Sequence, residues 1–336
     1  MSAKGLIFMT GGTGFIGATT TLVALKAGYH LRLAVRQESQ ISKLKHVFPE
    51  YLPSLDFVLV PDIAADDAYA GKLDGVDYII HLASPIPHTT EKEEIVTPAV
   101  KATMNILAEA ARVGSVKRVV IMSSVVALIP LAGVPEGGVI KEDNDWDLSV
   151  DETADFTREN DFLTSLQLYH ASKLLANAAS WSFMSSQQPQ FTLITLHPTP
   201  VFGHHILQTH SSELAICTND YLFGSIMSGV ALSPTNCVHV LDVADAHLRA
   251  LDEARVQGNA SYLISGPAPL CDETVGLLEK YYPDAGWKIR AGGETGFWGI
   301  DTGKVERELG LEWRSYEMML REVMDQQLGF LKVEGA

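Results

Sequence analysis

The amino-acid sequence predicts an α/β fold: a doubly wound parallel sheet with a smaller C-terminal lobe. Three observations carry this expectation. Short, unbroken apolar runs alternate with amphipathic stretches as far as Pro198. A glycine-rich turn follows the first of these runs directly. Beyond Pro198 the rhythm gives way to a segment rich in His, Ser, Thr and Gly, and it returns only in part. Strands of a parallel sheet are covered by helices on both faces, so they read as continuous apolar runs rather than as alternating ones.

Strands are predicted at LIFMT (6–10), LRLAV (31–35), FVLV (57–60), VDYIIHLA (76–83), VKRVVIMSS (116–124), FTLITLHP (191–198) and SYLIS (261–265). The first helix opens from the glycine turn and ends near Gly28. In the stretch 93–114, Ile95, Ala99, Ala102, Ile106 and Ala110 recur at helical spacing. Gly114 stands where that helix should stop, because glycine readily takes the left-handed conformation that closes a helix. A strand–helix unit returns at 237–254, and a last helix covers 315–330. This layout divides the chain into a first domain, 1–198 plus 236–265, and a lobe, 199–235 plus 266–336.

The chain has 336 residues, of which 46% are hydrophobic, ample for one large core with an annex. Its net charge is −16 and no Lys/Arg cluster stands out, so a nucleic-acid partner is not expected. Cys217, Cys237 and Cys271 lie far apart without metal-ligand spacing, and they read as reduced thiols. The longest apolar run, 119–134, falls short of the roughly 18–20 residues that span a bilayer, and it contains two serines and a proline. The first strand begins too early to leave room for a targeting peptide. The expectation is a soluble, cytoplasmic protein without a membrane partner, a monomer or homodimer.

The chemistry begins at TGGTGFIG (10–17). Gly12, Gly14 and Gly17 satisfy G-x-G-x-x-G, and Gly11, Gly14 and Gly17 satisfy the G-x-x-G-x-x-G variant. Glycine is needed there for unusual backbone angles and because a pyrophosphate must approach main-chain N–H groups closely. Between a strand and a helix, the pattern reads as the dinucleotide-binding turn of a Rossmann-type domain, with Phe15 and Ile16 inside it. An NAD-specific site would place an acid about 20 residues further on, for the ribose 2′-hydroxyl. Here the second strand ends in Val35-Arg36, with no acid before Glu38. A guanidinium at that point suits a 2′-phosphate, so the expected cofactor is NADPH/NADP+.

YHASK (169–173) sets Tyr169 and Lys173 one helical turn apart. Taken alone, the spacing describes a helix surface on which the two side chains share a face, rather than a proton donor with its electrostatic partner. A tyrosine hydroxyl holds its proton tightly at neutral pH, and a neighbouring ammonium favours the phenolate.

Taken together, TGGTGFIG (10–17), AVR (34–36), PDI (61–63), HLASP (81–85), SVKRVVIMSS (115–124), YHASK, HPTPVFG (197–203), VHVLDVADAH (238–247) and DTGKVERELG (301–310) identify a family likeness. The chain resembles the extended short-chain dehydrogenase/reductases over nearly its whole length, nearest the dihydroflavonol-reductase-like branch and microbial carbonyl reductases. The resemblance implies a catalytic set of Ser124, Tyr169 and Lys173. It implies that Asp62 and Ile63 meet the adenine and that Ala83 and Ser84 line the cofactor path. Lys43 matches a second 2′-phosphate contact beside Arg36, and Pro198 and Val201 match positions near the nicotinamide.

The chain departs from neighbouring branches at three places. Val125-Val126 follows Ser124 where nucleotide-sugar dehydratases carry an acid, which disfavours elimination chemistry. Ala99 replaces an asparagine common in epimerases, and an acidic insertion (143–161) separates Ser124 from Tyr169. His204, His205, His210 and Glu213 form a possible metal set, but surface or pocket histidines explain them better and no metal is expected. His88, Phe202 and Phe223 are candidate substrate contacts, the two aromatics within an apolar stretch that also holds Tyr221, Leu222, Ile226 and Met227. The expected function is NADPH-dependent reduction of a hydrophobic or aromatic ketone or aldehyde, with Tyr169 as proton donor. A sugar-nucleotide epimerase and a non-catalytic NADP-sensing protein are the alternatives.

Overall fold

The computed structural model describes residues 4–84, 89–231, 235–293 and 296–335. The first half of the chain runs β1 (Leu6–Thr10), α1 (Phe15–Lys26), β2 (His30–Val35), α2 (Glu38–Val47), β3 (Leu55–Leu59), β4 (Tyr78–His81), α3 (Lys92–Val113) and β5 (Arg118–Met122). Next come β6 (Val139–Ile140), α4 (Asp161–Gln187), β7 (Thr192–Pro198), β8 (Val201–Phe202), α5 (Asn219–Ser228), β9 (Val238–His239) and α6 (Val240–Ala250). The chain closes with β10 (Ala260–Ile264), α7 (Cys271–Tyr281), β11 (Gly299–Ile300), α8 (Gly303–Leu309) and α9 (Tyr316–Glu334).

Local chemistry sets several of these boundaries. Gly114 closes α3 at φ 73°, in the left-handed region expected of it. The Asn160 side chain caps α4 by accepting from Leu163 N, and Ser315 caps α9 by accepting from Met318 N.

Seven parallel strands form one sheet in the order β10-β7-β5-β4-β1-β2-β3. Neighbouring residues of one strand feed cores on opposite faces. Ile7, Met9, Val120 and Ile194 enter one cluster, while Phe8, Val119, Ile121 and Leu193 enter the other. Both faces of the strands are therefore buried, which is why the sequence shows unbroken apolar runs. A third cluster joins Phe202, Leu222 and Ile226 to Leu278, Met319 and Val323 on α7 and α9. Val305, Leu309 and Leu311 instead join the first cluster, so the late chain returns to the sheet before α9.

The strand order reverses between β1 and β4. The segments that follow them lead to helices on opposite faces, α1 in the first core and α3 in the second, and doubly wound sheets bind ligands in the crevice at such a point. The glycine turn leaves β1 there, and residues 82–84 leave β4 there.

Candidate active site

The glycine turn separates two kinds of requirement. A Cβ on Gly11, at φ 75°, would lie 2.7 Å from Ala83 N, and one on Gly17 would lie 1.9 Å from Gly11 O. Those two glycines are demanded by the protein's own packing. A Cβ on Gly14 would meet nothing closer than Gly11 O at 3.4 Å, so space is open in front of it. Gly14 is also the N-cap of α1, which has no side-chain cap and no acid in its first turn. The N–H groups of a first helical turn have no intrahelical acceptor, so Phe15, Ile16 and Gly17 offer donors to an anion. The Phe15 ring is buried and stacks on His205, 5.3 Å between centroids, so Phe15 meets a ligand through its backbone alone. This cradle fits a pyrophosphate.

Across the crevice, Thr10 Oγ1 accepts from Ala83 N at 3.1 Å and shares a hydrogen bond with His81 Nδ1 at 2.9 Å. Burial, helped by the charge of Lys173, pulls the pKa of His81 down to about 3, so this histidine is a neutral strut. Together they fix Ala83 and Ser84 beside the glycine turn. At the end of β2, Arg36 is exposed and its backbone N donates to Gln40 Oε1 at 2.8 Å. Gln40 Nε2 reaches Thr13 Oγ1 at 3.3 Å, tying α2 to the glycine turn. Lys43 pairs with Glu213 at 3.0 Å. Asp62 is exposed and accepts from Ala64 N at 2.8 Å, while Ile63 packs partly into the second core.

Ser124 follows β5 as the N-cap of a 3-10 turn, Val125–Leu128, and is 9% exposed. Three side chains hold this segment. His197 Nδ1 donates to Ser124 O at 3.1 Å, His170 Nε2 to Ile129 O at 2.9 Å, and Gln167 Nε2 to Leu131 O at 3.3 Å. A carbonyl can only accept, so His197 carries its hydrogen on Nδ1 and takes one from Thr195 Oγ1 on Nε2, at 3.0 Å. Burial holds His197 neutral by drawing its pKa down to about 4. His170 and Gln167 belong to α4, the helix that carries Tyr169 and Lys173. The serine segment is thereby fastened to the Tyr/Lys helix.

Lys173 Nζ lies 5.4 Å from the Tyr169 ring centroid and donates to Ser84 Oγ at 3.0 Å. Lys173 is only 6% exposed. Among the described residues no carboxylate pairs with it. A buried cation without a counter-ion is costly, and such costs persist where a negative charge develops during function. Tyr169, the phenol beside Lys173, is half-buried.

Other expectations fall elsewhere. Phe202 is 1% exposed inside the lobe core with Leu222 and Ile226, so it is a packing residue rather than a substrate contact. The small lobe needs that ring to exclude water. Phe223 is half-buried on α5, against the same core. Pro198 and Val201 are buried at the carboxyl end of β7 and just beyond it. His88 lies outside the described residues. The backbone N–H groups of His204 and His205 donate to Glu322 and Gln326, and the His210 ring bonds Ser212. Among the described residues no three His, Cys, Asp or Glu side chains converge on a metal position, and no helix is long and apolar enough to cross a membrane. In the acidic insertion, Asp147, Asp151 and Asp155 each accept a backbone N–H two residues on, and Phe156 anchors the loop in a small core with Ile95 and Leu168.

Sequence reasoning missed Thr10, Gln40, His170 and His197 as parts of the site, and weighed Glu213 only as a possible metal ligand. His170 lies inside YHASK and His197 opens HPTP, so both stood within quoted motifs.

The family model described as the NAD dependent epimerase/dehydratase family matches residues 7–265. Ketoreductase sphI of Aspergillus fumigatus is 47% identical over 335 residues, covering 98% of this chain and 100% of that protein. Aldehyde reductase 2 of Sporidiobolus salmonicolor is 28% identical, with 95% of each chain covered. The crystal structure of Gre2 from Candida albicans in complex with NADPH superposes with a TM-score of 0.80 at 24% identity, over 97% of this chain and 99% of that one; that likeness speaks to the fold. By the family match and by its similarity to sphI, the chain belongs to the NAD dependent epimerase/dehydratase family, the extended short-chain dehydrogenase/reductases.

Proposed function

We propose that this protein is an NADPH-dependent carbonyl reductase that converts a hydrophobic or aromatic ketone or aldehyde to an alcohol. The observation that carries the reading is the buried Lys173, which no carboxylate pairs among the described residues, one helical turn from Tyr169 at the point where β1 and β4 diverge. The ketoreductase and aldehyde reductase among its relatives support the same reaction class.

When bound, reduced nicotinamide supplies a hydride to the carbonyl carbon. Ser124 donates a hydrogen bond to the carbonyl oxygen, and Tyr169 delivers the proton that completes the alcohol. The Lys173 ammonium offsets the phenolate charge left on Tyr169 until solvent restores the proton. Gly11, Gly14, Gly17 and the first-turn N–H groups of α1 hold the pyrophosphate, and Ala83 and Ser84 line its path. Asp62 and Ile63 meet the adenine, Arg36 and Lys43 the 2′-phosphate, and Pro198 and Val201 flank the nicotinamide. The lobe built on α5, α7 and α9 covers the substrate, with the protein acting as a cytoplasmic monomer or homodimer. Val125-Val126 after Ser124 leaves no acid for elimination, which sets the reading apart from a dehydratase.

Mixing purified protein with NADPH and a carbonyl panel tests the proposal through loss of NADPH absorbance. Phe223 and Met227, half-buried on α5, favour apolar substrates. The expected result is the highest kcat/KM on hydrophobic or aromatic carbonyls. Highest kcat/KM on charged sugars or keto acids would reject the substrate class, and no turnover on any carbonyl would reject the function.

A further inference from the structure

Lys43 is the one proposed 2′-phosphate ligand that a carboxylate already engages. Its Nζ lies 3.0 Å from Glu213 Oε1, and both side chains are partly exposed, 40% and 31%. The other carboxylate oxygen accepts from Thr209 N at 2.7 Å and Thr209 Oγ1 at 3.2 Å, so Glu213 is held in place rather than trailing in solvent. Those donors, with Lys43, hold its carboxyl below the usual carboxylate range against the opposing effect of burial. Glu213 belongs to a strap, residues 204–216, that bridges two parts of the molecule. At one end the strap is sewn to α9: His205 N donates to Gln326 Oε1, and Gln208 and Gln327 exchange two hydrogen bonds. On its other side it rests on the cofactor cradle, with His205 stacked on Phe15 and Glu213 bonded to Lys43.

We infer that Glu213 is a specificity-determining residue: its carboxylate competes with the cofactor's 2′-phosphate for Lys43, so that the strap senses the phosphate and not the rest of the dinucleotide. The inference rests on the proposal that Arg36 and Lys43 receive that phosphate. Two anions at one ammonium repel each other, so the phosphate gains Lys43 only by weakening the bond to Glu213. NAD+ lacks the phosphate and leaves the ion pair intact. Coupling of this kind is reciprocal, so whatever loosens Glu213 must also strengthen phosphate binding.

The experiment is a titration of NADP+ and NAD+ into wild type and Glu213→Gln, followed by calorimetry. Glutamine keeps an oxygen for Thr209 and removes only the charge. NADP+ should bind the variant about threefold to tenfold more tightly, as expected for release of one partly screened charge pair, with NAD+ unchanged. The gain should shrink as salt rises. Hydrogen exchange on the wild-type protein gives a second readout that no substitution can confound: exchange over 204–216 should quicken with NADP+ relative to NAD+. Unchanged or weaker NADP+ binding by the variant, or identical strap exchange with the two nucleotides, would overturn the inference. Wild-type protein that binds NADP+ no better than NAD+ would instead refute the phosphate site on which it rests.

Discussion

Replacing Tyr169 with Phe is expected to lower kcat by about 10²–10⁴-fold, the usual contribution of a positioned proton donor, while NADPH still binds. The substitution keeps the ring and its packing on α4 and removes only the hydroxyl. The ring faces Lys173 Nζ at 5.4 Å, and Lys173 keeps its bond to Ser84 in either case. The cradle around Gly11, Gly14 and Gly17 lies on the other side of the crevice, so nucleotide affinity has no reason to fall. Loss confined to kcat, with the nucleotide Kd and the melting temperature preserved, identifies an interaction made in the transition state. A variant with near-normal turnover would show that another group delivers the proton. Parallel loss of turnover and stability would mean that the hydroxyl is structural.

How far the sequence reached depended on whether the relevant contacts were local. The central strands were legible because each runs through a layer covered on both faces: Ile7, Phe8 and Met9 are consecutive and all fully buried. The edge strand β3 was placed less well, at 57–60 against Leu55–Leu59. None of its residues is fully buried, Asp56 and Leu59 are exposed, and the strongly buried Val60 lies just past its end, pulling the apolar run toward the carboxyl side. Tyr169 and Lys173 could be placed on one helix face because one helical turn separates them, and the family resemblance marked the pair as catalytic. His197 and Ser124 lie 73 residues apart, and Lys43 and Glu213 lie 170 apart, so only the folded topology brings each pair together. Phe202 was misread for a different reason. An aromatic among other apolar residues of a small lobe looks like a pocket wall, yet the lobe buries it to complete a core with residues of α9 more than a hundred positions later.

The expectation for cofactor choice turns on Arg36. It stands at the end of β2 just after Val35, which is buried in the first core, and its own side chain is exposed. Its backbone N is pinned by Gln40 Oε1, and Gln40 in turn reaches Thr13 in the glycine turn. Truncating the side chain therefore leaves the backbone of the rim in place, which makes Arg36→Ala a clean probe of the guanidinium. Hydrogen bonds to charged groups contribute about 1.5–3 kcal/mol each, equivalent to roughly ten- to a hundredfold in affinity. Wild-type protein should prefer NADPH over NADH by at least about tenfold in kcat/KM. Arg36→Ala should erase most of that preference by weakening NADPH, with NADH little affected. Raising the salt concentration should narrow the preference of the wild-type protein, because a partly exposed phosphate pair is screened, and should do little to the variant. The sign separates this from a steric effect, since a substitution that merely disturbed the rim would weaken both nucleotides together. Equal use of NADH and NADPH by the wild-type protein at low salt would show that Arg36 is a solvated strand end, and the 2′-phosphate would then have no basis in this rim.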